Sequence, residues 1–315
     1  MKNYLRFIGL IVLLVILLKI DVGELLKIVY RVNIIYLLIA IILFIPLTYI
    51  KSYRWKKLLS IQNIDYSLTQ SFFVYMSSLY IGFVTPGRLG EFAKVLYLKS
   101  DKGISLSKGM SSVLIDRLFD LYLLIILGLI GIWKFDILGK WSNTSLLLLL
   151  IFISSPLLIL NKQLVGKVVG LIYKSVIKTK AQLRDKMEER FEDFYNGIHQ
   201  LLTFKLLFSV VLTCLSYLVF FIQCYLIVMA MGLSINFITI MLFMAVSNLI
   251  SFIPISISGL GTRDAALIYL FSLIGLKPEL AVSYAFLVFI TFFVCGGLMG
   301  AVAWWIKPLD IKSNK

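Results

Sequence analysis

Thr85-Pro86-Gly87-Arg88-Leu89-Gly90-Glu91 interrupts a hydrophobic stretch that otherwise runs over residues 72–98. Pro254-Ile255-Ser256-Ile257-Ser258-Gly259-Leu260-Gly261-Thr262-Arg263-Asp264 interrupts a second one, over residues 237–276. Proline cannot continue a helix, and glycine admits turns or close backbone approach. Inside a bilayer such breaks free N–H and C=O groups that no water can satisfy, so they survive only when buried in protein or lining a wet cavity. Charges at that depth cost about 2.5 kcal/mol or more each on insertion scales and mark substrate or ion paths. Each break carries an arginine and a carboxylate, Arg88 with Glu91 and Arg263 with Asp264.

The rest of the chain makes the bilayer the right setting. Of 315 residues, 60% are hydrophobic and only 15% charged, against about 45–50% and 25% in soluble domains. The apolar blocks are continuous and far longer than barrel strands. Spans are expected at residues 4–20, 34–50, 118–133, 144–160, 206–231 and 279–306, each near the length a crossing needs. No cleavage signal follows the first block, so it is expected to stay as a helix. Most of the 31 Lys and Arg fall on one side if both termini are cytoplasmic, which is the usual bias and accounts for the net charge of +15 without nucleic acid. Lys51, Arg54, Lys56 and Lys57, together with Lys94, Lys99, Lys102 and Lys108, are placed in cytoplasmic loops. Trp55, Trp133, Trp141, Trp304 and Trp305 then lie at helix ends, where indole favours the interface.

With this topology the first hairpin opens from the cytoplasm and the second from outside. The expected fold is an all-α polytopic integral membrane protein made of two inverted-repeat halves, each with a broken re-entrant hairpin. It forms a single transmembrane domain, 1–315. Residues 1–160 hold hairpin 72–98, residues 161–205 are a basic cytoplasmic connector, and residues 206–315 hold hairpin 237–276. Within the connector, Leu183, Met187, Phe191, Phe194, Ile198 and Leu201 recur at helical spacing. They predict an amphipathic helix, either solvated, lying on the membrane surface or docked on the bundle.

Chemistry-bearing residues are few. The lone His199 lies on the connector. Cys214, Cys224 and Cys295 lie in apolar blocks as small hydrophobes, and neither a metal cluster nor a phosphate-loop motif occurs in the sequence. No catalytic residue, metal or cofactor is expected. The turns are assigned to Pro86, Gly87, Gly90, Pro254, Gly259 and Gly261. Backbone N–H groups at each turn, beside Arg88 or Arg263, are expected to cradle a phosphate. Glu91 and Asp264 are expected to position those arginines and cap the half-helices. Asp116 and Asp120 share a helix face at i, i+4, with Arg117 in reach of Asp120. They are expected to attract Arg88 or Arg263 and to couple the halves or lock them by ion pairs. Gly296, Gly297 and Gly300 suit close helix contact.

The ordered motifs Thr85 to Glu91, Lys94, Gly103-Ile104-Ser105, Asp116-Arg117-Leu118-Phe119-Asp120 and Pro254 to Ala266 resemble the lysylphosphatidylglycerol synthase transmembrane region, the flippase-like family. Asp264 stands where that family usually has Glu, and Lys94 where Arg is common. The resemblance implies a membrane bundle that moves or presents a lipid. In two-domain members a soluble aminoacyl transferase follows, and a chain that stops at Lys315 is expected to lack it. The leading expectation is a cell-membrane lipid translocase, transporter-like rather than enzymatic. It would bind an anionic phospholipid or polyprenyl-phosphate lipid through Arg88, Glu91, Arg117, Arg263 and Asp264. Two alternatives stand beside it. One is a transferase on a lipid-linked sugar or on aminoacyl-phosphatidylglycerol, with a carboxylate as general base. The other is an accessory subunit of a separately encoded lipid-modifying enzyme.

Overall fold

The computed structural model describes residues 27–28, 30–83, 85, 88–137, 147, 192–252 and 259–309, and those residues form helices and turns without strands. Asn33 caps α1 (Ile34–Ile42) through its side chain, which accepts from the Ile35 N–H. A single residue, Leu43, separates α1 from α2 (Phe44–Ile61), and the pair makes one apolar rod. Helix α3 (Leu68–Phe83) leads into the first break, from which the 3₁₀ turn Leu89–Phe92 and α4 (Ala93–Lys102) emerge. Gly103 then ends α4 in the left-handed region, after Lys99 and Lys102 in its last turn. Ser105 caps α5 (Leu106–Lys134) by accepting from the Lys108 N–H. This cap starts the helix twelve residues before the span expected at 118–133.

The second half begins with α6 (Leu206–Ala230). Helix α7 (Phe237–Phe252) leads into the second break and α8 (Thr262–Ser272) leaves it. Pro278 opens α9 (Pro278–Phe289), which passes through the π-helical turn Ile290–Cys295 into α10 (Gly296–Ile306). Among the described residues Ile34–Ile61, Leu206–Ala230 and Pro278–Ile306 are long and apolar enough to cross a bilayer. Their exposed apolar side chains, such as Leu207, Val211, Leu218, Leu298 and Val302, are what lipid-facing helices require. The span expected at 4–20, the span expected at 144–160 apart from Leu147, Trp141, and connector residues 161–191 lie outside the described residues.

The halves share a length pattern. Helices of 28, 16, 10 and 29 residues in the first are matched by 25, 16, 11 and 29 in the second. They also pack reciprocally: α3 lies on α10, α7 on α5, and the α1–α2 rod on α6. The α1–α2 rod and α6 run in opposite directions. The Asn33 N–H bonds the Ala230 carbonyl at the far end of α6, Gln223 donates to the Ala40 carbonyl, and Tyr53 meets Phe208 near the start of α6. Glycines permit the close crossings: Gly128 meets Leu249, Gly131 meets Leu242 and Val246, and Gly300 meets Met76 and Tyr80.

One expectation needs correction, and one choice among alternatives is decided. Trp55 is no interfacial anchor: it is fully buried within α2 and its indole N–H reaches Ser112. The described part of the connector, helical over 192–201, is docked rather than solvated. Ile198 and Leu201 bury against Leu58 and Ile115, and Gln62 donates to the Gly197 carbonyl at 3.1 Å. At the end of α10, Lys307 bonds Asp101 at 2.5 Å, and Tyr66 donates to the same carboxylate. This ties the end of the last helix to α4.

Candidate functional site at the two chain breaks

After each break the chain lies against the helix that precedes it, Gly90 against Ile81 and Gly259 against Ser251. Gly90 lies so close to α3 that an added Cβ would sit 2.4 Å from the Ile81 carbonyl oxygen. Thr85 satisfies the turn, with its hydroxyl accepting from the Gly90 N–H at 2.7 Å and donating to the Gly82 carbonyl. Arg88 takes φ +56°, a left-handed conformation costly for a residue with a Cβ. At the second break Gly259 and Gly261 have φ +76° and +77°. Asp264 caps α8 by accepting from the Gly261 N–H at 2.9 Å. Gly90→Ala is expected to destabilise the fold by about 1–3 kcal/mol through this backbone clash. Gly297→Ala, where the nearest atom would be 3.7 Å away, should fall within about 0.5 kcal/mol of wild type; thermal unfolding in detergent compares the two. Pro86, Gly87 and Pro254 lie outside the described residues.

Residues flanking both breaks line a cavity of about 80 Å³. A single water needs about 10–15 Å³ of such space, so the cavity has room for several waters or one phosphate-sized group. Among the described residues, Lys51, Arg88, Arg117 and Arg263 line it together with two carboxylates, Glu91 and Asp120. Its apolar wall includes Phe83, Phe220, Phe292 and Phe293. The π-helical turn closes its hydrogen bonds over one residue more than an α-helix, and two residues within it, Phe292 and Phe293, both line the cavity.

The carboxylates are already engaged. Asp116 takes Arg54 Nε on one oxygen and Lys94 Nζ on the other, both at 2.9 Å. Asp120 takes Arg54 Nη1 and Lys51 Nζ, both at 2.8 Å. Arg54 also donates to Thr213 of α6 at 2.7 Å, so it joins the two halves. Glu91 pairs with Arg117. Asp264 touches Arg263 Nη2 at 3.2 Å in addition to its capping bond.

These contacts revise the expected pairings. Asp116 and Asp120 attract Lys51, Arg54 and Lys94, and neither Arg88 nor Arg263 is among their ion-pair partners. Lys51, Arg54 and Lys94 were placed in cytoplasmic loops, yet Arg54 and Lys94 are fully buried. Arg117 pairs with Glu91 rather than Asp120, and Glu91 therefore does not position Arg88. The expected backbone cradle is also largely spent. The N–H groups of Gly90, Glu91, Gly261 and Arg263 bond within their own turns. Capacity for an anion remains on side chains. Among the described residues, no carboxylate lies within 4 Å of Arg88 and the buried Arg263 Nε has no hydrogen-bond partner. Both guanidinium groups instead lie over the Phe293 ring, with Cζ to centroid distances of 5.4 and 5.3 Å.

The motifs that build this cavity lie within residues 6–300, which match the family model described as the lysylphosphatidylglycerol synthase TM region. The chain belongs to that family. A UPF0104 membrane protein of Methanocaldococcus jannaschii is 24% identical over 326 residues, covering 100% of this chain and 97% of the relative. One of Pyrococcus horikoshii is 24% identical, with 96% of each chain covered. Another, of Methanothermobacter thermautotrophicus, is 22% identical over 87% of this chain and 86% of its own length. No solved structure matches the chain. Membership of this family and the long apolar helices make this an integral membrane protein.

Proposed function

We propose that the chain is a lipid translocase of the cell membrane. The phosphate of an anionic phospholipid or polyprenyl-phosphate lipid enters the cavity while the acyl or prenyl tails stay in the bilayer. The observation that carries this reading is the convergence of Arg88 and Arg263, one from each chain break, on one cavity where the carboxylates are already tied to other cations. A site with surplus guanidinium donors and an apolar wall suits a phosphate attached to a hydrocarbon. A general-base role for Glu91, Asp116, Asp120 or Asp264 finds less support, since each is held in an ion pair or a cap.

The recurring helix lengths, the reciprocal packing and the opposite run of the α1–α2 rod and α6 support an inverted repeat with two re-entrant hairpins. Rocking of one half against the other then alternates access to the site, with both termini on the cytoplasmic side. The test is leaflet exchange of labelled phosphatidylglycerol and of a labelled polyprenyl phosphate in vesicles reconstituted with the full chain. Headgroup accessibility to an external quencher should change faster than in protein-free vesicles for at least one of them. Equal rates for both lipids rule the proposal out.

A further inference from the structure

We propose that Phe293 is the positioning residue of a two-arginine phosphate clamp, an inference that rests on the phosphate reading of the same cavity. Arg88 and Arg263 come from separate halves of the chain, and as like charges in a buried space they repel one another. A carboxylate between them would hold them, but it would occupy their donors and cancel their charge. An aromatic ring holds a cation differently, through the negative electrostatic potential of its face. A guanidinium lying over a ring keeps its in-plane N–H donors available, and those donors bind a phosphate oxygen pair.

Phe293 meets these requirements through its surroundings. Its ring stacks on Phe289 with the planes 17° apart and touches Phe83 at 4.9 Å between centroids. Arg88 also lies over Phe83, at 5.8 Å, so the first arginine rests on an aromatic pair. The second rests on Phe293 and on its bonds to Asp264 and the Ala285 carbonyl. The π-helical turn sets Phe293 between the two, and the extra residue in that turn is the device that aims it there. The clamp is therefore preassembled, and a phosphate completes it through Arg88 and through the Arg263 Nε, which the contact of Asp264 with Nη2 leaves unengaged.

The experiment titrates short-chain phosphatidylglycerol into the purified full chain by calorimetry. The variants are Phe293→Leu and replacement of Phe293 by pentafluorophenylalanine. The fluorinated ring nearly keeps the shape but reverses the electrostatics of the face, so it separates charge from packing. Both variants should bind about tenfold more weakly than wild type, with the fluorinated protein melting at the wild-type temperature. Wild-type affinity in the fluorinated protein overturns the clamp and leaves the phosphate reading standing. If the wild-type chain itself gives no binding, the phosphate reading falls and the clamp with it.

Discussion

Replacing Arg54 by alanine is expected to cost about 3–5 kcal/mol of stability, the range for removing one partner from a buried ion-pair network. Arg54 is fully buried and is the one side chain that meets both Asp116 and Asp120 among the described contacts. Its loss strips one oxygen of each carboxylate of its partner and removes the link to Thr213 on α6. Lys51 and Lys94 remain, yet each already serves the other oxygen of its own carboxylate. Arg54→Lys should recover only part of the loss, because an ammonium lacks the planar fork that reaches two carboxylates at once. Thermal unfolding in detergent checks the order wild type, then Arg54→Lys, then Arg54→Ala. Lys99→Ala is the control: Lys99 is exposed near the end of α4 and should change stability by no more than about 0.5 kcal/mol. An Arg54→Ala protein as stable as that control would remove the network from the account of how the halves are joined.

The arginines at the breaks are expected to behave in the opposite way. Arg88→Ala and Arg263→Ala should each lower lipid exchange about tenfold or more, since hydrogen bonds to a charged group are worth about 1.5–3 kcal/mol apiece. Arg88 has no carboxylate partner among the described residues, so its removal should leave stability near wild type. Arg263→Ala should cost somewhat more stability, through its bond to the Ala285 carbonyl. Asp264 keeps its capping bond to the Gly261 N–H in that variant. The contrast is diagnostic: Arg54 should move the melting temperature first, and Arg88 should move exchange with melting unchanged. The double variant Arg88→Ala with Arg263→Ala should exchange no faster than protein-free vesicles.

The apolar blocks and the two glycine-rich interruptions were legible in the sequence because bilayer length and helix-breaking chemistry leave few alternatives there. Arg88 and Arg263 stood out for the same reason. Lys51 and Arg54 did not, because basic residues at the end of an apolar block look like a cytoplasmic loop. Helical spacing carried the missing signal. Leu47, Lys51, Arg54 and Leu58 recur at three and four residues on one stripe, and that stripe turns inward in α2. The same stripe explains Trp55, which adjoins it and is buried with it. Pairings were harder to read. Asp116 and Asp120 advertise a need for cations, but which cations arrive depends on how α2 and α4 cross α5. The π-helical turn had no visible signature, since Ile290-Thr291-Phe292-Phe293 suits an ordinary apolar helix equally well. The role of Phe293 emerges only once the turn is placed beside both breaks.

The most direct test of the central claim is where a lipid headgroup sits on the protein. A phosphatidylglycerol analogue with a photoreactive group on its head, incorporated with the full chain into a bilayer and irradiated, can be mapped by peptide mass spectrometry. The account predicts labelling of the segments around Arg88, Arg263 and Phe293, lost in the double arginine variant. Labelling confined to the outward faces of α6 and α10, and unchanged in that variant, would contradict it.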